Sequence, residues 1–394
     1  MEQIREEDIV IVGGGICGLA TALALHRKGI RSIVLEKSET LRATGVGIIM
    51  QANGWRALDE LGVASVLRQT AAFIQSCRQI SIHDKKPKEI SLGSGERRCL
   101  KRNDLLKALA DNLPADTIQF STQVKSIEMD PITSYPVLCL VNGSVIEAKI
   151  VIGCDGLNSV IARILGLNSI AFSPTCVVRG FSHYENGHDY ANQFLLLSDR
   201  NVQLGQVPVN DNLIYWFLTR KSTSEDSKIS RDKILIKEST MDILKDFPEQ
   251  AIEMINKSEH ESLHLTGLRY RAPWDVLTTN FRKGTVTVGG DAMHAMGPFL
   301  AQGGSASLED AVILARCLAE KIQNKAIVKE KVEEGIDKYL KQRKMRVFWL
   351  CLQTYLVGTV IQPPNLVMKV LCIFLLIILF RDPNKHTDYD CREP

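Results

Sequence analysis

Hydrophobic and polar positions follow several rhythms along this chain, and each rhythm predicts a different element. Ile9-Val10-Ile11-Val12 is a β-branched run suited to a buried parallel strand. Leu19 to Lys28 predicts a helix that Gly29 ends, and Ile33-Val34-Leu35 predicts the next strand. Four short strands separated by polar turns are predicted between 175 and 220: Cys176-Val177-Val178, Gln193 to Leu197, Asn201 to Val207 and Asn212 to Leu218. Thr219 to Lys228 is polar and reads as an exposed loop. Leu308, Ala311, Val312, Ala315 and Leu318 give a helical period from Ser305 to Lys321. Ser307 and Asp310 have capping-box spacing there, and Glu309 adds charge, so the helix start is aimed back at Gly303-Gly304. Near the C-terminus, Val347 to Ile361 and Val370 to Phe380 are apolar and are parted by Pro363-Pro364. The second run makes a helix of only about 16 Å, short of a bilayer core of about 30 Å.

These elements predict an α/β chain in four segments. Residues 1–172 and 273–330 form a Rossmann-type dinucleotide-binding domain in two parts. Residues 173–272 form an inserted, mainly β substrate domain, and 331–394 a C-terminal helical region. The chemistry begins at Gly13-Gly14-Gly15-Ile16-Cys17-Gly18, a G-x-G-x-x-G placed between strand and helix. Gly13 permits the tight turn, Gly15 lets a pyrophosphate reach the backbone, and Gly18 lets the helix pack closely. The helix N-terminus offers free N–H groups to phosphate. Glu36 closes the second strand, where a carboxylate accepts ribose hydroxyls. No second motif of this kind follows a later strand, which excludes a separate nicotinamide-binding Rossmann domain.

Two further motifs follow. Asp155-Gly156-Leu157-Asn158-Ser159 ends a β-branched run, with Arg163 four positions on. Gly290-Asp291-Ala292-Met293-His294 continues through Gly297-Pro298 to Gln302-Gly303-Gly304-Ser305 and Glu309-Asp310. In this order, with the first motif, they closely resemble the class A flavoprotein monooxygenases, the aromatic-ring hydroxylases. The flanks of the third motif look most like the plant monooxygenase 1, or salicylate-hydroxylase-like, type. The resemblance implies an FAD-binding domain with an inserted β-sheet and C-terminal helices. It implies FAD as cofactor, NAD(P)H as transient reductant, and dioxygen with a small aromatic or conjugated molecule as substrates. A flavin C4a-hydroperoxide would transfer the oxygen. Asp291 then binds the ribityl chain or nearby ribose, and Asp155 is linked to FAD and NAD(P)H binding. Arg102 lies near the diphosphate and Arg42 near the flavin. Pro298, Gly303 and Gly304 run past the flavin ring, where helix N–H groups stabilise negative charge.

One position departs from that family: Ala301 stands where its members usually have Gly, at a cost of about 1 kcal/mol if φ is positive there. His294 reads as structural, and Cys17 and Cys154 as packed thiols. Tyr215, Trp216, Phe217 and Phe194 alternate along strands and read as sheet core, some facing a cavity. The ten cysteines show no metal-ligand spacing and suit a reducing compartment, and no presequence is read, so a cytoplasmic protein is expected. With a net charge of +3 and no dense basic stripe, nucleic acid binding has no support. Two readings of the apolar C-terminal run stay open: a packed helix, and peripheral membrane contact with Arg343, Lys344 and Arg346 near head groups. Isoprenoid epoxidation, oxidation without oxygen insertion, and a flavin-binding regulator without turnover are the rival functions.

Overall fold

Ile9 to Val12 are fully enclosed at the end of β1 (Arg5–Val12), which lies at the centre of an eight-stranded sheet. In a computed structural model, residues 4–41, 46–84, 86–90, 95–167, 170–322 and 326–393 are described. Helix α1 (Ile16–Arg27) crosses from β1 to β2 (Ile33–Leu35), which pairs parallel with β1. A small strand, β3 (Gly47–Met50), follows, then β4 (Ser76–Ser81) and β5 (Pro87–Ile90). Helix α2 (Arg102–Ala110) precedes β6 (Val145–Gly153), the other parallel neighbour of β1.

Then come the long strands β7 (Ala171–His183), β8 (Gln193–Asp199), β9 (Val202–Asn210) and β10 (Leu213–Lys221). Helices α3 (Lys233–Ile243) and α4 (Glu249–Asn256) and strand β11 (His264–Tyr270) complete this region. The chain returns to the first sheet as β12 (Val286–Val288), parallel to β6. Four helices finish it: α5 (Asp291–His294), α6 (Gly303–Ala319), α7 (Lys329–Ile361) and α8 (Leu366–Leu379).

The second sheet has seven strands in the order β11-β7-β10-β9-β8-β4-β5. It is not built from one insertion: β4 and β5 come from residues 76–90, and β8 pairs parallel with β4. The boundaries 1–172 and 173–272 therefore do not divide the two sheets. The reason that sequence missed these strands is physical. β5 is exposed at all four positions and carries Pro87, Lys88 and Glu89, as edge strands do. Such a strand has no hydrophobic alternation to read. Thr219 to Lys221, expected in a loop, extend β10, and Arg220 pairs with Asp226 at 2.5 Å.

Each face of the second sheet has its own core. Trp216, fully buried, points with Leu218 and Leu204 toward α3 and α4, and its indole N–H donates to Ser258 Oγ at 2.8 Å. Tyr215, Phe181 and Phe217 point the opposite way, toward β3. In the first sheet, α1 packs along α6, and α6 along α7.

Three local expectations change. Helix α6 begins at Gly303 rather than Ser305, with Gln302 at its N-cap position and no side-chain cap. Ser307 Oγ donates to Gly303 O at 2.8 Å, and Asp310 turns inward, so no capping box forms. Helix α8 packs along α7 by one side, but only Cys372 is buried and most of its apolar residues stay exposed. No described helix is long and apolar enough to cross a membrane.

Candidate functional site

Val12 is the register partner of both Leu35 and Gly153, and Gly153 that of Val288. The three motifs therefore leave the carboxyl ends of three neighbouring parallel strands at one level, where ligands of open α/β sheets bind. Gly13 makes the first turn with φ +106°, and a Cβ there would lie 2.5 Å from Cys154 O. A Cβ on Gly18 would lie 1.9 Å from Gly13 O, so this glycine lets the helix meet the turn. Gly15 differs: a Cβ there would meet nothing within 4 Å. It caps α1, whose first turn has no side-chain cap and no acidic residue. Glu36, at the tip of β2, accepts from the Gly14 N–H at 2.7 Å and the Ser38 N–H at 2.9 Å. Those bonds orient its carboxylate beside the glycine turn.

The second motif sits beside the first. Asp155 Oδ2 accepts from the Val160 N–H at 2.7 Å, whereas buried Oδ1 has no hydrogen-bond partner among the described residues. Desolvation raises this carboxyl above the usual aspartate range, against the pull of its Ser159 and backbone hydrogen bonds. Asp291 opens α5 after Gly290, which has φ +60°. Its side chain is reachable from the cleft, yet enough protein surrounds it that desolvation raises its carboxyl, against the charges of His294, Arg102 and Arg271.

The structure thus brings Arg102, at the start of α2, near Asp291. Arg271 was not singled out by sequence. It is 2% exposed, feels the charges of both Asp155 and Asp291, and donates to Leu167 O at 3.2 Å. Arg42 lies outside the described residues.

The loop from Gly290 to α6 is fastened from behind by a buried ionic cluster. Asp310 Oδ2 accepts from the Gly290 N–H at 2.8 Å and meets His294 Nε2 at 2.6 Å. Arg343 Nε donates to Asp310 Oδ1 and Arg343 Nη1 to Glu309 Oε2, each at 2.7 Å. Arg346 donates to Glu309, and Lys344 to Thr279 O, so these side chains serve the fold rather than lipid head groups. Burial opposes the Asp310 charge, but His294, Arg343 and the Gly290 N–H outweigh it and hold its carboxyl at about 2. Asn53 Nδ2 donates to Glu309 Oε1 at 2.6 Å and to Gln302 Oε1 at 2.8 Å, tying α6 to the segment after β3. The helical spacing of Tyr339, Arg343 and Val347 is the signal that would have placed Arg343 inward.

Pro298 begins a short 3-10 turn and is exposed. Ala301 ends that turn in the left-handed region, φ +52° and ψ +35°. Ala301→Gly is therefore expected to stabilise the chain by about 1 kcal/mol, seen as a higher thermal midpoint. Gly303 and Gly304 form the first turn of α6, which has no side-chain cap hydrogen bond. A Cβ on Gly303 would meet nothing within 4 Å.

An aromatic cluster packs against β3. Phe181 and Tyr215 are 5.6 Å apart and Phe194 and Phe217 6.1 Å apart between ring centroids. A Cβ on Gly47 would lie 2.2 Å from the Tyr215 ring, so β3 passes flush against it. Burial pushes the Tyr215 hydroxyl up to about 12. A cavity of about 210 Å³ also reaches the loop at Gly297 and Phe299, between Arg271, Tyr355 and Met368.

These features fit a flavin dinucleotide. An uncapped helix start behind an unobstructed glycine suits a diphosphate, an oriented carboxylate suits a ribose, and Asp155 Oδ1 awaits a donor. Comparison with known proteins agrees. A family model described as an FAD binding domain matches residues 6–352. Monooxygenase 1 of Arabidopsis thaliana is 47% identical over 98% of this chain and 99% of its own. The 3-hydroxybenzoate 6-hydroxylase 1 of Aquipseudomonas alcaligenes is 27% identical over 78% of this chain and 79% of its own. The crystal structure of Klebsiella pneumoniae HpxO with FAD and uric acid superposes with a TM-score of 0.81, covering 98% of this chain and 97% of that one at 18% identity. The chain belongs to the FAD-dependent monooxygenases of the aromatic-hydroxylase type.

Proposed function

We propose that the protein uses NAD(P)H and dioxygen to hydroxylate a small aromatic or conjugated molecule. The observation that carries this reading is the exit of three motifs from neighbouring parallel strands at one level. In this reading Gly13, Gly15 and Gly18 shape the diphosphate cradle, and Glu36 accepts from the adenosine ribose. Arg102 neutralises the diphosphate, Asp291 holds the ribityl chain or nearby ribose, and Asp155 serves FAD and NAD(P)H binding. Arg42 is assigned to the flavin by resemblance alone. Pro298 lines the edge of the reacting space, and the Gly303 and Gly304 N–H groups stabilise negative charge developing there. Bound FAD supplies hydride acceptance and dioxygen activation. Phe194 and Phe217, both only partly buried, offer apolar ring faces to a planar substrate, and Tyr215 supports β3 from behind. All ten cysteines are free thiols, as suits the reducing cytoplasm.

Isoprenoid epoxidation is a second reading, favoured by the exposed apolar α8 beside the cavity at Met368. One experiment tests both. FAD-loaded protein is assayed aerobically for NADPH and NADH oxidation with phenolic acids and with isoprenoids, and products are weighed by mass spectrometry. A sharp rate increase with a phenolic acid and a product heavier by one oxygen is expected. Stimulation by isoprenoids alone favours the second reading. Turnover without oxygen incorporation, or flavin that stays oxidised throughout, defeats both.

A further inference from the structure

Surface helices normally turn their apolar stripe inward and their charges outward. Helix α8 is the reverse. Val367, Val370, Leu371, Phe374, Ile377 and Ile378 all face outward and span an arc of roughly 120° at 3.6 residues per turn. No polar residue falls within that arc. Val367 is 75% exposed, Ile377 66% and Phe374 57%. The helix is not a loose end. Asn365 caps it by accepting from the Met368 N–H at 2.9 Å. Gln362 Nε2 donates to Asn201 O before it and Gln353 Nε2 to Pro383 O after it, at 2.6 and 2.9 Å. The fold thus presents this face firmly and leaves it bare.

We propose that α8 docks in the plane of an anionic lipid surface. Its 14 residues make about 21 Å of helix, short of a bilayer core of about 30 Å, so it lies along the interface and does not cross. Charge supports the choice of lipid. The helix has no acidic residue, its one charged side chain is Lys369, and Arg381 follows its end. Trp349, 40% exposed, meets the Phe380 ring at 5.9 Å, placing an indole where interfacial tryptophans lie. A second copy is a poorer occupant. One facing helix covers an area of roughly 21 by 10 Å, far below the ~800 Å² per partner of a stable dimer.

Docking has a consequence for the site. Pro364 and Met368, at the start of α8, line the same cavity as Gly297 and Phe299 beside Pro298. A lipid-dissolved substrate would enter there directly; this route rests on the proposed function, whereas docking does not.

The test uses the full FAD-loaded chain and flotation with phosphatidylcholine vesicles, with and without phosphatidylglycerol. The protein is expected to float with the anionic vesicles. Phe374→Glu and Ile377→Glu should each weaken partitioning about tenfold or more while leaving flavin content unchanged, since both side chains are exposed. Failure to float with either vesicle type overturns the proposal. So does equal flotation of the variants, or a dimer, seen by light scattering without lipid, that Ile377→Glu dissociates. Flotation without any monooxygenase turnover would leave docking intact and remove only the entry route.

Discussion

Gly15→Val is expected to weaken FAD binding about a hundredfold while leaving the apoprotein folded. Position 15 has extended backbone, φ −84° and ψ −171°, which valine adopts readily, and its Cβ would enter open space. Its apoprotein should unfold within about 1 kcal/mol of the parent, the cost of replacing a glycine cap by a β-branched residue. The branched side chain would, however, occupy the approach to the uncapped helix N-terminus. FAD affinity should fall roughly a hundredfold, or about 2.7 kcal/mol. Gly18→Ala should behave differently. Its Cβ would strike Gly13 O, so the helix must move away and stability itself should drop by about 3 kcal/mol. Flavin titration and chemical unfolding of the two variants separate the roles. Parental FAD affinity in Gly15→Val would mean that the diphosphate does not sit at the start of α1.

Arg343→Ala should be the most destabilising single change in the C-terminal helices. The residue is 0% exposed and joins Glu309, also 0%, to Asp310 at 1%. Burial disfavours its charge, but Asp310 and Glu309 overcome that and keep the guanidinium firmly protonated. Removing Arg343 leaves two buried carboxylates sharing only Arg346, His294 and neutral donors, costing about 3 kcal/mol or more. The change should also reach the site, because Asp310 holds the Gly290 N–H ahead of Asp291.

The pH dependence gives a second readout. Asp310 lies at about 2 when folded, below its ordinary value of 3.8. A depressed carboxyl contributes stability above its unfolded pKa and loses it as pH falls through the folded one. The Asp310 contribution, of order 2 kcal/mol, should therefore be complete above about pH 4 and fade toward pH 2. In Arg343→Ala this acid limb should move to higher pH. An unchanged unfolding free energy and an unchanged acid limb would show that the cluster has no such role.

Much of the nucleotide half was legible in the sequence because its signals are local. A β-branched run followed by glycines at fixed spacing specifies strand, turn and helix within about thirty residues. Asp155 and Asp291 stood out for the same reason, each beside a glycine that takes positive φ, at Gly156 and Gly290. Even the strain at Ala301 was visible as a departure from the pattern, and the backbone there is left-handed. The start of α6 was misplaced by two residues because Ser307 and Asp310 mimic a cap that neither provides. Their side chains instead serve Gly303 O and the Gly290 loop.

The sequence by itself determined the strand–glycine–helix unit, the order of the three motifs and the flavin family, since backbone conformation and motif spacing are properties of neighbouring residues. Tertiary structure alone decided the rest. Arg343 finds Asp310 and Glu309 more than thirty residues away, and Arg271 comes between Asp155 and Asp291 only when two distant segments meet. β4 and β5 join a sheet whose other strands begin about eighty residues later, through backbone hydrogen bonds that carry no hydrophobic pattern. The apolar run of α8 could have been core. Whether an apolar face is covered depends on what the rest of the chain brings against it, and here the chain brings cover only to the side of Cys372.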